Sequence, residues 1–294
     1  MDIHSLTYFK RVAELQHITR ASEELRVAQP SLSRTIAGLE GELGVRLFTR
    51  TGKNIRLNQY GEIVLRHTNR ILQELEDIEA ELADARDQGS RSVTISLYAA
   101  SKLLPELVMA FKREYPSIRL HIVQDDLGTR QRSECDLSIF SSIQPSPAGA
   151  ENEVTLIEEE ILLALPEANP FAQRDSVSLQ EVAGEEFICL QRGKSLRTIT
   201  DMYCKMAGFE PNVILESDSP ETVRELIRAG IGISFIPCVT WSGIQTDHIA
   251  LVPISFPQCK RYIHLSWRKN GYLSPAALLF RDFVRNYFKA LPPG

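Results

Sequence analysis

No stretch of eighteen consecutive apolar residues occurs anywhere in the 294 residues, so a membrane-spanning helix is not expected. The amino terminus reads MDIHSLTYF, without a basic segment leading into an apolar one; no export signal is read, and the cytoplasm is the expected compartment. Cysteine is scarce: Cys135, Cys189, Cys204, Cys238 and Cys259 are odd in number and contain no C-x-x-C spacing. That excludes a disulfide framework and a zinc site of the usual spacing, and reads as mostly buried thiols. Histidines are few, and no nucleophile, base and orienting acid group by spacing. Neither a G-x-G-x-x-G after a strand nor a G-x-x-x-x-G-K-[ST] loop is present; "AGIGISF" has the glycines but leads into a strand. No enzymatic activity, metal or cofactor is therefore expected.

What the chain does have is an uneven charge. The net charge is −5, yet residues 1–58 carry nine Lys/Arg against six Asp/Glu, while residues 59–89 carry three against eight. A basic head on an acidic body suits an anionic partner that meets one end only. The length allows two folded units, and an apolar share of 43% supplies ample core.

In the head, Leu6, Phe9 and Ala13 form one helical stripe, and Leu32, Ile36, Leu39 and Leu43 another. Between them a short helix is expected from Thr19 to about Leu25, then a turn at Arg26 to Ala28, with Pro30 in the first turn of the next helix. This is helix-turn-helix spacing. With its leucines turned inward, the second helix presents Gln29, Pro30, Ser33, Arg34 and Ala37 outward. A major-groove helix needs amide and guanidinium groups near its start and small neighbours; a merely solvated face has the same composition. The next segment, "LFTRTGKNIRLN", favours the groove. It reads as a hairpin with Thr51, Gly52 and Lys53 at its tip and Arg50 and Arg56 beside it, a wing able to hold phosphates.

Residues 59–89 read as one long charged helix ended by Gly89 and Ser90. Val64, Thr68, Ile71, Leu75, Ile78, Leu82 and Ala85 recur in steps of four and three, the seam of a coiled coil between two copies or, alternatively, a face packed on its own domain. From Arg91 onward, strand-like runs such as "SVTISL", "DLSIF", "EILLAL" and "YIHLSW" alternate with helical patterns at Leu103 to Glu114, Ser195 to Ala207 and Pro220 to Ala229. The alternation predicts a mainly parallel α/β arrangement in two subdomains. The final helix, Pro275 to Ala290, is expected to return to the first.

Through "QPSLSRTI" and "LEGELGVRLFTR" the first sixty residues resemble the DNA-binding domain of LysR-type transcriptional regulators, and "LLPELVMAFKREYP", "DLSIF" and "IRAGIGISFIP" resemble the regulatory domain of that family. The resemblance implies a winged helix-turn-helix at 1–58, a dimerising linker helix at 59–89, and at 90–294 a two-subdomain effector-binding domain like that of periplasmic binding proteins. Subdomain I would span about 91–160 and 267–294, subdomain II about 161–266. It implies double-stranded promoter DNA as partner, self-association into homodimers and homotetramers, and a small, often anionic effector. DNA contacts would fall on Gln29, Pro30, Ser31, Ser33 and Arg34, with Arg50, Thr51 and Lys53 in the wing; the dimer seam on Val64, Ile71, Leu75, Ile78 and Leu82; and the effector site on Ser96, Tyr98, Ser101, Gln191 and Ser195. Ala28 departs from the serine many relatives use as a helix cap, and segment 124–135 is shorter than usual. In the peroxide-sensing branch Cys204 would match the second redox cysteine, but Ser195 stands where the first should be, and serine forms no sulfenic acid. The competing reading is a cytoplasmic small-molecule-binding or enzymatic α/β protein whose N-terminal helices serve only oligomerisation.

Overall fold

A computed structural model describes residues 1–51, 54–86, 92–123, 135–241, 247–268 and 271–291, without the side chains of residues 50, 51, 54 and 84. The chain divides into two compact units, Met1–Ser90 and Arg91–Gly294.

The first unit begins with α1 (Ile3–Leu15), started by a capping box in which Asp2 accepts from the Ser5 backbone and the Ser5 hydroxyl accepts from that of Asp2. Its stripe of Leu6, Phe9, Val12 and Ala13 is buried. The next helix, α2 (Ile18–Glu24), starts one residue before the expected Thr19, because the His17 ring accepts the Arg20 N–H at 3.3 Å and acts as the cap. Ala21 and Ser22 are buried where α2 meets α3 (Gln29–Leu43), as their small size allows.

The inward face of α3 departs from expectation at its end. Leu43 is exposed, and Glu40 is buried instead. Its carboxylate accepts the Leu47 N–H and an Arg46 N–H, both at 2.7 Å, so a satisfied acid stands where periodicity alone asks for an apolar residue. Gly44, at φ +70°, ends the helix in the left-handed region. The expected hairpin follows as β1 (Phe48–Thr51) and β2 (Asn54–Leu57), antiparallel with Phe48 opposite Leu57. Gly52 and Lys53 lie outside the described residues.

The linker helix α4 (Gln59–Ala85) is entered through Asn58, whose side chain accepts the Gly61 N–H and donates to the Arg46 carbonyl. A side chain at Gly61 has no room, since a Cβ there would stand 2.2 Å from the Leu47 carbonyl oxygen. Along the expected seam, Thr68 is buried and Val64 and Leu75 are half-buried, whereas Ile71, Ile78 and Leu82 are exposed. The helix ends at Ala85, and the expected stop at Gly89 and Ser90 lies outside the described residues.

The second unit holds two cores, built on a seven-stranded sheet and two smaller two-stranded ones. Its elements in order are β3 (Ser92–Leu97), a short 3₁₀ turn (Ser101–Leu103), α5 (Leu104–Glu114), β4 (Arg119–Val123), β5 (Leu137–Ser142), β6 (Glu153–Pro166), β7 (Val177–Ser178), β8 (Glu186–Leu190), α6 (Ser195–Met206), β9 (Asn212–Ser217), α7 (Pro220–Arg228), β10 (Ser234–Pro237), β11 (Ile249–Val252), β12 (Ile254–Phe256), β13 (Lys260–Trp267) and α8 (Pro275–Lys289). Strands β7 and β12 are too short to be anticipated from alternation, and β11 is not anticipated either. The pairing is less parallel than expected: β3 runs parallel to β4 and β5, and β8 to β9, but β6 and β13 are antiparallel to their neighbours.

Those two long strands cross between the cores. Val154, Leu156 and Ile157 of β6 pack in the first with α5 and α8, and Ile161, Leu163, Ala164 and Leu165 in the second with α6 and α7. On the return, Cys259 just before β13 belongs to the second core while Ile263 and Leu265 within it belong to the first, so the crossing lies inside β13 and not at the expected 266/267 boundary. Periodicity cannot show this, because both cores bury the same apolar residue types. Helix α8 reaches the first core through Phe280, whose ring meets Phe111 edge-on at 4.7 Å.

A candidate nucleic-acid interface and effector cleft

Gln29, Pro30, Ser31 and Arg34 are exposed at the start of α3, and Ser33 is half-buried. The Gln29 amide donates to the Ser33 hydroxyl at 2.9 Å, which aligns two groups able to read hydrogen-bonding edges. Among the described residues no carboxylate pairs with Arg34, so its guanidinium is available to a partner. Ala28 is extended and supplies no capping hydrogen bond, leaving the first amides of α3 open to an outside acceptor. The backbones of Arg50 and Thr51 lie in β1, their side chains lie outside the described ones, and Lys53 is not described. Arg56, opposite Thr49, is exposed on β2.

In the second unit the sites expected to bind an effector separate into three kinds. Tyr98 and Ser195 come together: the Ser195 hydroxyl donates to the Tyr98 carbonyl at 3.0 Å and accepts from the Ser141 hydroxyl at 3.0 Å. Tyr98 follows β3 and Ser141 lies in β5, both strands of the first core, and Ser195 opens α6 of the second, so this is a contact between the two cores. Ser96 is buried and bonded at 2.7 Å to the equally buried Ser138. Ser101 and Gln191 are exposed, with the Gln191 N–H donating to the Ser217 carbonyl at 2.9 Å.

Sequence reasoning missed several charged groups in this unit. Arg261 and Glu159 are directly opposite on β13 and β6, 2.8 Å apart and both almost fully buried. The Glu159 carboxylate also accepts from the Val239 and Thr240 N–H groups and the Thr240 hydroxyl. Arg197 is buried between Asp201, Glu216 and the Leu190 carbonyl. Arg224, on α7, has a side chain only 8% exposed, its guanidinium carbon 5.8 Å from the Trp241 ring centre. Nothing in "PETVRELIR" distinguishes it from an ordinary surface arginine. Lys102, in the 3₁₀ turn after β3, is half-buried.

The cysteines of the second core are inert. Burial pushes the Cys189 thiol up to about 11 and the Cys204 thiol up to about 12, and raises that of Cys259 as well. Only thiolates attack peroxide, so at neutral pH these groups stay unreactive. Treatment with hydrogen peroxide at pH 7.5 is expected to leave all three reduced, as mass spectrometry after denaturing alkylation would show. Because their folded values lie above those of the unfolded chain, the stabilisation they carry is complete below about pH 8.5. It is lost as pH rises towards about 11 to about 12, so a melting temperature that rose over that interval would contradict the burial account.

The comparisons with known proteins agree with this layout. Residues 3–62 match the bacterial regulatory helix-turn-helix proteins of the lysR family, and residues 84–289 match the LysR substrate binding domain. An uncharacterized HTH-type transcriptional regulator of Bacillus subtilis, YybE, is 36% identical over 98% of this chain and 99% of its own length. The transcriptional dual regulator GltC of the same organism is 31% identical over 99% of both chains. Among solved structures, a full-length single-residue variant of OxyR from Pseudomonas aeruginosa superposes with a TM-score of 0.60 at 23% identity, covering 99% of this chain and 95% of that one.

Proposed function

Since this chain belongs to the LysR family of transcriptional regulators, we propose that it reads its promoter with Gln29, Pro30, Ser31, Ser33 and Arg34 in the major groove. It is a DNA-binding regulator modulated by a small-molecule effector, not an enzyme, and it oligomerises. The observation that carries the assignment of the reading face is the exposed Arg34, unpaired among the described residues, beside the Gln29–Ser33 pair on a helix whose other face is buried. Arg50, Thr51 and Lys53 hold phosphates in the wing, and a phosphate at the uncapped start of α3 takes the place of the missing serine.

Two copies associate along Val64, Ile71, Leu75, Ile78 and Leu82. The exposed Ile71, Ile78 and Leu82 support this seam, since in one copy alone they face water. Dimers pair into tetramers, and the protein works in the cytoplasm, where its DNA is. The effector, an anion, sits between the two cores, near the Tyr98–Ser195 contact, and Ser96, Ser101 and Gln191 line or support the cleft. Its preference for one arrangement of the lobes shifts the population of DNA-bound forms. Among the described residues no helix is long and apolar enough to cross a membrane.

The division of labour in the head is tested by gel shift. Arg34→Ala is expected to weaken the specific operator by about 1–3 kcal/mol while sparing random DNA. Lys53→Ala should weaken both alike and flatten the salt dependence. Identical behaviour of the two variants would contradict the assignment.

A further inference from the structure

We propose that the effector is a carboxylate, held by Arg224 from one lobe and Lys102 from the other; this rests on the reading of the cleft as the effector site. Arg224 is more than nine-tenths buried, yet its Nη1 has no hydrogen-bond partner among the described residues. Its ion pair is with Glu221, which stands 3.9 Å from Nη2 and is itself 82% exposed, a weak screened contact. The other buried arginines differ. Arg197 and Arg261 each hold a carboxylate at 2.8 Å or less, as buried guanidinium groups ordinarily must. Among the described buried arginines, Arg224 alone is left with an unpartnered donor.

A second cation, Lys102 on the 3₁₀ turn after β3, is near enough for the charge of Arg224 to act on it. Lys102 makes no hydrogen bond or ion pair among the described residues, and its ammonium is held below the ordinary lysine range by burial and then by the charge of Arg224. Burial likewise lowers Arg224. The two cations, one on the 3₁₀ turn after β3 and one on α7, repel each other across the lobes, and the one carboxylate whose charge reaches both, Glu221, is solvent-exposed and offsets that repulsion only in part. An anion between them removes the repulsion and favours the closed arrangement.

Trp241 lies against the guanidinium, and the unpartnered Nη1 is an in-plane donor, so the ligand group best matched is planar and accepts along that edge. A carboxylate does this. The ligand class follows from these two residues, whereas the serines of the cleft are compatible with charged and neutral molecules alike.

The test is a thermal-shift and calorimetric titration of the full-length protein at constant ionic strength. The probes are acetate, succinate, benzoate and a wider set of mono- and dicarboxylates, each against its neutral amide, with inorganic phosphate and sulfate in parallel. Operator binding is measured in every sample. The expected result is a shift with one or more carboxylates and none with the matching amide, weakened about 10- to 100-fold in both Arg224→Gln and Lys102→Gln.

A readout independent of the probe is the ligand-free melting point of Arg224→Met. Removing an uncompensated buried charge leaves it unchanged or raises it, whereas a structural arginine would lower it. If Arg224→Met melts lower and carboxylate binding is unaltered in Lys102→Gln, the proposal is overturned. It is equally overturned if only phosphate or sulfate binds, or if no carboxylate acts on a protein that still holds its operator. A protein that takes up carboxylates through these residues but ignores DNA would instead refute the regulator reading of the head.

Discussion

Glu159→Leu is expected to destabilise the effector-binding unit by about 3–5 kcal/mol. The carboxylate is almost fully buried, pairs with Arg261 at 2.8 Å, and accepts from Val239, Thr240 and the Thr240 hydroxyl. Its removal leaves the Arg261 guanidinium buried with the Thr240 hydroxyl as its remaining partner among the described residues. The pair sits where β6 and β13 pass from one core to the other, so the loss is felt at the crossing about which the lobes are joined. The double variant Glu159→Met with Arg261→Met should recover most of the stability, since a buried ion pair replaced by apolar residues of similar volume is often neutral. Urea denaturation of the three proteins measures this. A single variant within about 0.5 kcal/mol of the parent would refute it.

Gly61→Ala is expected to lower the stability of the DNA-binding unit and to weaken operator binding together. The added Cβ would stand 2.2 Å from the Leu47 carbonyl oxygen and 2.7 Å from Leu57. That carbonyl accepts the Asn58 N–H at 3.0 Å, so relief requires moving backbone that anchors both the wing and the linker helix. Overpacking of this kind costs about 1–3 kcal/mol, occasionally more. The gain of about 1 kcal/mol from alanine in a helix offsets only part of it when the clash is with backbone. Circular dichroism melting and a gel shift on the same preparation provide the check; unchanged values in both would show that the junction tolerates displacement.

The architecture was legible in the sequence wherever period and punctuation agreed. The 3.6-residue stripes of α1 and α3, Pro30 and the basic hairpin located the DNA-binding head, and alternation located the strands from β3 to β10 apart from the short β7. What the pattern hid were residues that break the association between chemistry and burial. Leu43 is apolar but exposed, and Glu40 is acidic but buried. His17 caps a helix through a ring nitrogen that cap preferences do not rank highly. Of the residues expected to bind an effector, Tyr98 and Ser195 meet, while the burial of Ser96 against Ser138 depends on strand register, which alternation does not fix. Arg224 carries no local signal, because its burial against Trp241 is set by the packing of α7 and not by the residues beside it in sequence.

The central claim is that the face from Gln29 to Arg34 reads base sequence in a symmetric pair. The most direct measurement is selection of bound duplexes from a random DNA library by the full-length protein at moderate salt, followed by sequencing. Enrichment of an inverted repeat, abolished by Arg34→Ala, is the result this account predicts. A library that emerges with no preferred sequence, or an enriched motif that Arg34→Ala leaves intact, would contradict it.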